Sequence, residues 1–235
     1  MIDFTGQTII VTGAAGNVGQ ALAIKLSALS ANLALADMDE NRLRASAKQL
    51  GAAPLLIAGA DARTEDGANR IAHECLARFS RIDGLANTVG AFQLKNVADG
   101  AAEDWRALMD LNALTALRLS QAVLPAMVAR SYGRIVHIAA GAGARSFAGA
   151  GVYAASKAAV MRITEALSEE HKAQGVTANC VMPGTIDTPQ NRAAMPDANA
   201  SKWVRPDELA NVIAFLLSRE ASAVTGSAVP VTGRL

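Results

Sequence analysis

Aromatic residues and cysteines are scarce in this chain of 235 residues. Phe, Trp and Tyr make up 4%, and the two cysteines, Cys75 and Cys180, are too few for a disulfide scaffold or a zinc knuckle. An excess of one charge is also missing, because 22 Lys and Arg face 21 Asp and Glu, a net charge of +1. This balance excludes the basic surface expected of a nucleic-acid-binding protein. Apolar residues make up 51%, which excludes a disordered chain and predicts a globular protein.

A membrane-spanning segment is not expected either. The longest uncharged run, residues 4–24, has enough length but carries Gln7, Asn17, Gln20 and several glycines, so it is too polar for a lipid-facing helix. It predicts instead a buried strand, a glycine turn and the start of a helix. With no signal sequence and few cysteines, we expect a cytoplasmic protein that does not bind membranes.

Short apolar runs alternate with amphipathic stretches along the whole chain. This alternation predicts an α/β fold, a Rossmann-type doubly wound parallel sheet of about seven strands flanked by helices. We expect one domain over residues 1–235, with a cofactor part at about 1–130 and a catalytic and substrate part at about 131–235 that do not separate. Pro125 is expected to kink or end a long helix, and residues 184–204 to form one long loop. The predicted strands are residues 8–11, 33–36, 55–58, 84–86, 135–139, 177–181 and 228–231.

A glycine-rich turn follows the first predicted strand and opens a helix. Gly13, Gly16 and Gly19 would let the backbone turn tightly and approach a pyrophosphate at the helix N-terminus. Asp37 ends the second strand 18 residues after Gly19, close to the spacing of a carboxylate that binds the adenosine ribose. The combination predicts a dinucleotide site.

The carboxylate of Asp37 also bears on which dinucleotide binds. It accepts hydrogen bonds from ribose hydroxyls and repels a 2′-phosphate, so NAD(H) is favoured over NADP(H). Arg42 and Arg44 on the next helix could reverse this preference, but we expect them to be solvated.

Tyr153 and Lys157 are spaced i and i+4, which places the phenol and the ammonium on one helical face. A nearby lysine favours the phenolate, so we expect it to lower the pKa of Tyr153 and make the tyrosine a general acid/base. Alone, such a pair is usually an ordinary surface contact. Beside a nucleotide loop it predicts a catalytic site.

With these motifs in order, the whole chain resembles the short-chain dehydrogenase/reductase family. The resemblance implies that Asp61 contacts adenine, that Asn87 to Gly90 follow the fourth strand, and that the backbone of Asn112 helps hold a proton-relay water. It also implies that Lys157 binds the nicotinamide ribose, that the protein acts on a small molecule, and that it forms a homodimer or homotetramer. The full expected cofactor-binding set is Gly13, Gly16, Asn17, Val18, Gly19, Asp37, Asp61, Ala62, Asn87, Gly90, Tyr153, Lys157, Pro183, Gly184, Ile186 and Thr188.

Two positions depart from the family pattern. Asn17 stands where single-domain members carry a glycine, and we expect asparagine to tolerate the left-handed backbone there. Ala140 stands thirteen residues before Tyr153, where the family has its catalytic serine. Loss of that hydroxyl donor typically costs about 10²–10³ in rate. Ser146 lies near in sequence and is one possible replacement.

One branch of the family, the dihydropteridine reductases, also lacks the serine, and residues 186–203 resemble their lid segment. The site predicts hydride transfer to or from a small carbonyl, alcohol or quinonoid or imine-like substrate that needs little oxyanion stabilisation. Two alternatives remain open. One is a conventional ketone reductase in which Ser146, a backbone N–H or water replaces the serine, and the other is a nucleotide-binding sensor or scaffold with weak catalysis.

The three histidines have no spacing of metal ligands, and we expect no metal. His73, His137 and His171 are interpreted as structural, and Cys180 as a small residue of the core.

Overall fold

A computed structural model describes residues 2–50 and 54–234. Seven parallel strands form one sheet in the order β3-β2-β1-β4-β5-β6-β7. The chain first moves outward from β1 to β3 and then returns to place β4 on the other side of β1. The carboxyl ends of β1 and β4 therefore border the crevice where open α/β sheets bind ligands. The strands are β1 Thr8–Thr12, β2 Asn32–Asp37, β3 Leu55–Ala58, β4 Gly84–Asn87, β5 Gly133–Ile138, β6 Val176–Pro183 and β7 Ala228–Val231.

Helices cover both faces of the sheet. Leu22 and Leu26 of the first helix pack with Leu209 and Ile213 of the last on one face. The third and fifth helices and the seventh cover the other face with side chains such as Ile71, Leu119 and Leu167. The helices are α1 Asn17–Ala28, α2 Glu40–Ala47, α3 Glu65–Phe79, α4 Ala102–Leu108, α5 Thr115–Ala129, α6 Gly141–Ala144, α7 Gly151–His171, α8 Pro189–Ala194 and α9 Pro206–Leu217.

The predicted fold class is confirmed, since this is a single-domain α/β protein with a parallel sheet of seven strands. Each predicted strand matches an observed one to within a few residues. The strands could be predicted because both faces of the sheet are buried, so each strand is a continuous apolar run in the sequence.

Two details of the prediction need correction. Of the two outcomes expected at Pro125, an end of the helix is wrong, because Pro125 lies inside α5 and the helix continues to Ala129. Pro125 and Gln121 lie on the exposed face, so water can bond the carbonyl that the proline leaves without a donor. Residues 184–204 are also not one long loop, because they contain α8, which Thr188 caps and Pro189 begins.

One helical run in the described part of the chain, Ala102–Ala129, is long and apolar enough to cross a membrane by length and composition alone. The sequence interpretation, which considered residues 4–24, missed it. Leu119, Val123 and Met127 of this run are buried in the core against the sheet. It therefore packs as the core helix of a globular domain does.

Candidate active site

The glycine turn after β1 has the geometry that a dinucleotide site needs. Gly13 has φ +66°, a left-handed backbone that favours glycine. A Cβ on Gly19 would lie 2.3 Å from the carbonyl oxygen of Gly13, so only glycine permits this close packing of α1 against the turn. Gly16 caps the N-terminus of α1, and Val18 packs against the core from its first turn. The turn therefore presents open backbone at the N-terminus of α1, which fits a pyrophosphate.

Asn17 does not adopt the expected left-handed backbone. It is the first residue of α1, and the described non-glycine residues with positive φ are all serines elsewhere. The special conformation of the turn is at Gly13, so asparagine at position 17 causes no strain. Its side chain instead donates a hydrogen bond from Nδ2 to Oε1 of Gln190 in α8, at 3.0 Å.

Asp37 ends β2 at the rim of a cleft of about 250 Å³ beside the glycine turn. Its Oδ2 accepts a hydrogen bond from the N–H of Ala15 at 3.0 Å, and its Oδ1 accepts one from the N–H of Asp39 at 3.1 Å. The carboxylate is thus held in one orientation at the cleft. Gly13, Gly16, Asp61, Ala62 and Gly90 of the expected set line the same cleft.

Arg42 is exposed, as expected, but its guanidinium is also bound to the glycine turn. Its Nη2 donates to the carbonyl oxygen of Ala15 at 3.1 Å, and the side chain lines the cleft. The first turn of α2 points Arg42 back toward the glycine turn, whereas Arg44 pairs with Glu40 on the exposed side of the same helix. The cleft therefore holds a cation close to Asp37.

Asp61 follows β3, and its carboxylate is bound by Arg63. The guanidinium of Arg63 donates from Nη2 to Oδ2 at 2.8 Å and from Nε to Oδ1 at 2.9 Å. These hydrogen bonds lower the pKa of Asp61. Arg63 also lines the cleft, and it was not predicted from the sequence.

Asn87 is buried where β1 and β4 end side by side. Its Oδ1 accepts hydrogen bonds from Oγ1 of Thr12 at 2.9 Å and from the N–H of Val89 at 3.2 Å. The side chain therefore ties the end of β1 to the segment that follows β4, and this segment leads directly to Gly90.

Gly90, Asn112 and Lys157 meet at one point. A Cβ on Gly90 would lie 2.9 Å from Oδ1 of Asn112 and 3.1 Å from Nζ of Lys157. The absence of a side chain on Gly90 is what lets the two polar groups approach. Because Gly90 also lines the cleft, the predicted cofactor and catalytic residues share a border.

Lys157 is buried in α7, and its Nζ donates to the carbonyl oxygen of Ile138 at the end of β5, at 2.7 Å. Burial lowers the pKa of Lys157 to about 8. Its Nζ lies 6.0 Å from the ring centroid of Tyr153, so the two side chains are neighbours as predicted.

The predicted direction of the pKa shift of Tyr153 is wrong. Burial raises the pKa of Tyr153 to about 12, because desolvation disfavours the phenolate. The ring of Phe92 packs edge-on against that of Tyr153, with centroids 4.8 Å apart and planes at 85°. This apolar neighbour was not singled out from the sequence. The hydroxyl is therefore held as a proton donor.

Asn112 lies in a π-helical turn, Met109–Leu114, between α4 and α5. Its Oδ1 accepts from the N–H of Ala91 at 2.9 Å, and its Nδ2 donates to Oγ of Ser156 at 2.9 Å. The hydroxyl of Ser156 in turn donates to the carbonyl oxygen of Tyr153 at 2.8 Å. A π-turn opens the backbone ladder and is frequent at functional sites. Ser156 was missed, although its position beside Lys157 was a usable signal.

The segment after β6 carries the last of the expected cofactor residues. The N–H of Gly184, which follows Pro183, donates to the carbonyl oxygen of Val231 at 2.9 Å. The carbonyl oxygen of Ile186 accepts from Nδ2 of Asn191 at 2.8 Å. Thr188 caps α8, and its Oγ1 accepts from the N–H of Asn191 at 3.1 Å.

Ala140 is buried at the start of α6, directly after β5. Ser146 lies beyond α6, where its exposed hydroxyl donates to the carbonyl oxygen of Phe147 at 3.4 Å. Among the described residues, no hydrogen bond joins Ser146 to Tyr153.

The remaining polar candidates are the histidines and Cys180. Within residues 2–50 and 54–234, no group of three His, Cys, Asp or Glu side chains could hold a metal ion. His137 is fully buried in β5, and its Nε2 lies 3.1 Å from Oγ of Ser120, while its Nδ1 has no hydrogen-bond partner among the described residues. Burial and the charge of Lys157 lower its pKa to about 3. Cys180 is buried in β6, as expected.

The chain belongs to the short-chain dehydrogenase/reductase family. The family model described as short chain dehydrogenase matches residues 7–199. A curated relative, the 3-oxoacyl-(acyl-carrier-protein) reductase FabG of Escherichia coli (strain K12), is 31% identical over 242 residues, covering 99% of this chain and 98% of that protein.

Solved structures agree. A short-chain type dehydrogenase/reductase from Mycobacterium ulcerans superposes with a TM-score of 0.93 at 25% identity, covering 99% of this chain and 90% of the other. The NAD⁺-bound structure of a xylitol dehydrogenase superposes with a TM-score of 0.90 at 25% identity, covering 98% and 99%. The protein is therefore an oxidoreductase of this family.

Proposed function

We propose that the protein is an NAD(H)-dependent oxidoreductase that moves a hydride to or from a small carbonyl, alcohol, or quinonoid or imine-like substrate. The observation that carries this proposal is the meeting of Lys157 and Asn112 at Gly90, on the border of the cleft beside the glycine turn. One crevice would then hold the cofactor next to the proton-transfer residues.

The preference for NAD(H) rests on Asp37. Its carboxylate has a fixed orientation at the cleft and would bind the ribose hydroxyls, while its charge would repel a 2′-phosphate. The similar xylitol dehydrogenase holds NAD⁺, which is consistent with this preference. The pyrophosphate would bind at the glycine turn, formed by Gly13, Gly16, Asn17, Val18 and Gly19. The adenine would contact Asp61 and Ala62. The nicotinamide half would contact Asn87, Gly90, Pro183, Gly184, Ile186 and Thr188.

Tyr153 would act as the general acid in reduction and as the general base in oxidation. When bound, the nicotinamide supplies or accepts the hydride. In reduction the Tyr153 hydroxyl gives its proton to the substrate heteroatom and regains one from solvent. Because the pKa of Tyr153 is about 12, the tyrosine carries that proton at neutral pH. Lys157 would bind the nicotinamide ribose, and the backbone of Asn112 would help hold a relay water.

The substrate class follows from Ala140. With no hydroxyl at this position to donate to a developing oxyanion, the site suits a quinonoid or imine-like ring better than a simple ketone. The resemblance of residues 186–203 to the lid of dihydropteridine reductases supports the same class.

Ala140 also favours a second candidate function, a nucleotide-binding sensor or scaffold with weak catalysis. Such a protein would bind NADH but turn over no member of a panel of quinones, pterins and ketones. Retention of Tyr153, Lys157 and Asn112 argues for the enzyme.

The deciding experiment is the Tyr153→Phe variant. Loss of a general acid/base should lower turnover by about 10²–10⁴ while NADH binding, measured by calorimetry, is retained. Tyr132→Phe is the matched control, because the other tyrosine of the chain bonds Gln7 at the opposite end of the sheet. Equal turnover by wild type and Tyr153→Phe would overturn the assigned role.

We further propose that residues 1–130 chiefly bind the cofactor, that residues 131–235 carry most of the substrate site, and that the protein is a cytoplasmic homodimer or homotetramer. Sedimentation of the purified protein tests the oligomeric state.

A further inference from the structure

We propose that the part of the substrate that does not react is an apolar ring or alkyl chain, bound against an apolar wall beside Tyr153. The wall consists of Phe92, Leu94, Val97 and Phe147. This inference rests on the proposed function and names the chemistry of its substrate.

The four side chains of the apolar wall are unusually exposed for their size. Phe92 is 59% exposed, Leu94 53%, Val97 67% and Phe147 54%. They account for four of the eight large apolar side chains found exposed in the described part of the chain. A concentration of this kind, rather than scattered single residues, marks a binding surface.

The apolar wall lies on two segments, 91–100 after β4 and 145–150 before α7. Segment 91–100 follows the carboxyl end of β4, and segment 145–150 follows β5 and the short helix α6, so both belong to connections that leave the carboxyl ends of strands, where this sheet type binds its ligands. The N–H of Lys95 donates to the carbonyl oxygen of Gly149 at 2.7 Å, so the two segments are joined. A Cβ on Gly149 would lie 3.8 Å from Cβ of Leu94, which places that wall residue directly at the junction.

The wall is continuous with the reacting centre, because the ring of Phe92 packs edge-on against that of Tyr153. A substrate whose reacting atom is at the Tyr153 hydroxyl would therefore extend across Phe92 toward the other wall residues. Ala140 adds a further apolar side chain after β5.

Two polar side chains of segment 91–100 are already engaged, one with α4 and one within the segment. The ammonium of Lys95 pairs with Asp104 at 2.6 Å, and the amide of Asn96 donates to Asp99 at 3.2 Å. These contacts leave little on this segment to recognise a sugar or a phosphate. Arg145, on segment 145–150, carries a positive charge that could bind an anionic substrate. The test must therefore distinguish an anionic substrate from an apolar one.

The test uses quinones that share one reacting ring, namely 2-methyl-, 2-ethyl- and 2-propyl-1,4-benzoquinone, together with a carboxymethyl analogue. We expect kcat/KM with NADH to rise about three- to fourfold for each added methylene, the factor that follows from its burial. The variant Leu94→Ser/Phe147→Ser should lose this slope. Phe215→Ser is the matched control, because Phe215 is an exposed apolar residue of α9 outside the wall. A flat alkyl series, a slope kept in the double variant, or a preference for the carboxylate would overturn the inference.

Ligand-observed NMR with hydroquinone and 2-propylhydroquinone separates this inference from the proposed function, because it requires no turnover. Tighter binding of the propyl compound that is lost in Leu94→Ser/Phe147→Ser supports the wall even if no quinone is reduced. Turnover of quinones without this difference in binding would contradict the wall and leave the proposed function intact. Sedimentation completes the test, since dissociation of an oligomer by the double variant would show that the surface is a contact between copies.

Discussion

The side chain of Asn17 donates a hydrogen bond to that of Gln190 at 3.0 Å, across 173 positions of sequence. Asn17 begins α1 beside the glycine turn, and Gln190 lies in the first turn of α8. The bond therefore connects the expected pyrophosphate site to the segment after β6 that would cover the nicotinamide. Glycine, the family residue at position 17, has no side chain to make this connection.

We predict that breaking this bond speeds the release of NADH. A hydrogen bond of this kind contributes about 0.5–1.5 kcal/mol, so Asn17→Ala and Gln190→Ala should each raise the dissociation rate about two- to tenfold. The double variant should release NADH no faster than either single one, because one bond is lost in all three. Stopped-flow fluorescence measures the rates, and Gln49→Ala at an exposed site is the control. Fully additive effects would show that the two residues act separately.

We predict that Asp37→Asn increases the use of NADP⁺ relative to NAD⁺. The substitution removes the charge that repels a 2′-phosphate while keeping the size of the side chain, and the ratio of kcat/KM values should rise about tenfold or more. Arg42 lines the same cleft and supplies the cation that would bind the phosphate. Addition of Arg42→Ala should therefore reverse most of the gain. An unchanged ratio in Asp37→Asn would contradict the assignment of Asp37 to the ribose.

We predict that Ala140→Ser raises the rate of reduction of ordinary ketones by about 10-fold to 10²-fold. The rate of quinone reduction should rise by a smaller factor. Ala140 has an extended backbone with φ −162°, which serine adopts without strain. Steady-state rates with NADH on a matched ketone and quinone check the change. Ser146→Ala should leave the ketone rate unchanged, because within the part of the chain that the structure describes the hydroxyl of Ser146 bonds only its neighbour Phe147. A fall of that rate would instead support Ser146 as the replacement donor.

The sheet could be predicted from sequence because parallel strands buried on both faces give apolar runs that stand out from the helices between them. The glycine turn and the spacing of Tyr153 and Lys157 were also visible, since each depends on residues close in the chain. Gly90 was expected in the cofactor site from family resemblance alone. That it makes room for Asn112 and Lys157 depends on three elements meeting, which no local pattern encodes.

The electrostatics of the site were the least predictable part. The i, i+4 spacing correctly made Lys157 and Tyr153 neighbours, but the effect of one charge on the other depends on burial. Desolvation raises the pKa of Tyr153 and lowers that of Lys157. The position of Arg42 was missed for a similar reason, because the rotation of α2 about its axis decides whether the side chain enters the cleft.

Finally, we predict that burial of Lys157 makes the stability of the protein depend on alkaline pH. The pKa of Lys157 is about 8 in the folded protein, and its ordinary value, expected in the unfolded chain, is 10.5. Between these two pH values the unfolded chain binds a proton that the folded protein does not. Stability contributed by this residue should therefore rise with pH, by about 2 kcal/mol up to about pH 9.5. Tyr153, Cys75 and Cys180 have raised pKa values and act with the opposite sign, the tyrosine above its ordinary value of 10.0 and the cysteines above theirs of 9.0, so the contribution of Lys157 is the difference between the wild type and a variant without it.

Urea unfolding without added cofactor, at about pH 7 and about pH 9.5, measures this change in the free energy of unfolding. The free energy of unfolding of Lys157→Met should not show this rise between the two pH values. Its absolute stability does not matter for the comparison, because the loss of the hydrogen bond to Ile138 affects both pH values equally. Lys48→Met, at an exposed position, should keep the wild-type slope. An identical pH dependence in wild type and Lys157→Met would show that another residue titrates. It would contradict the lowered pKa of buried Lys157.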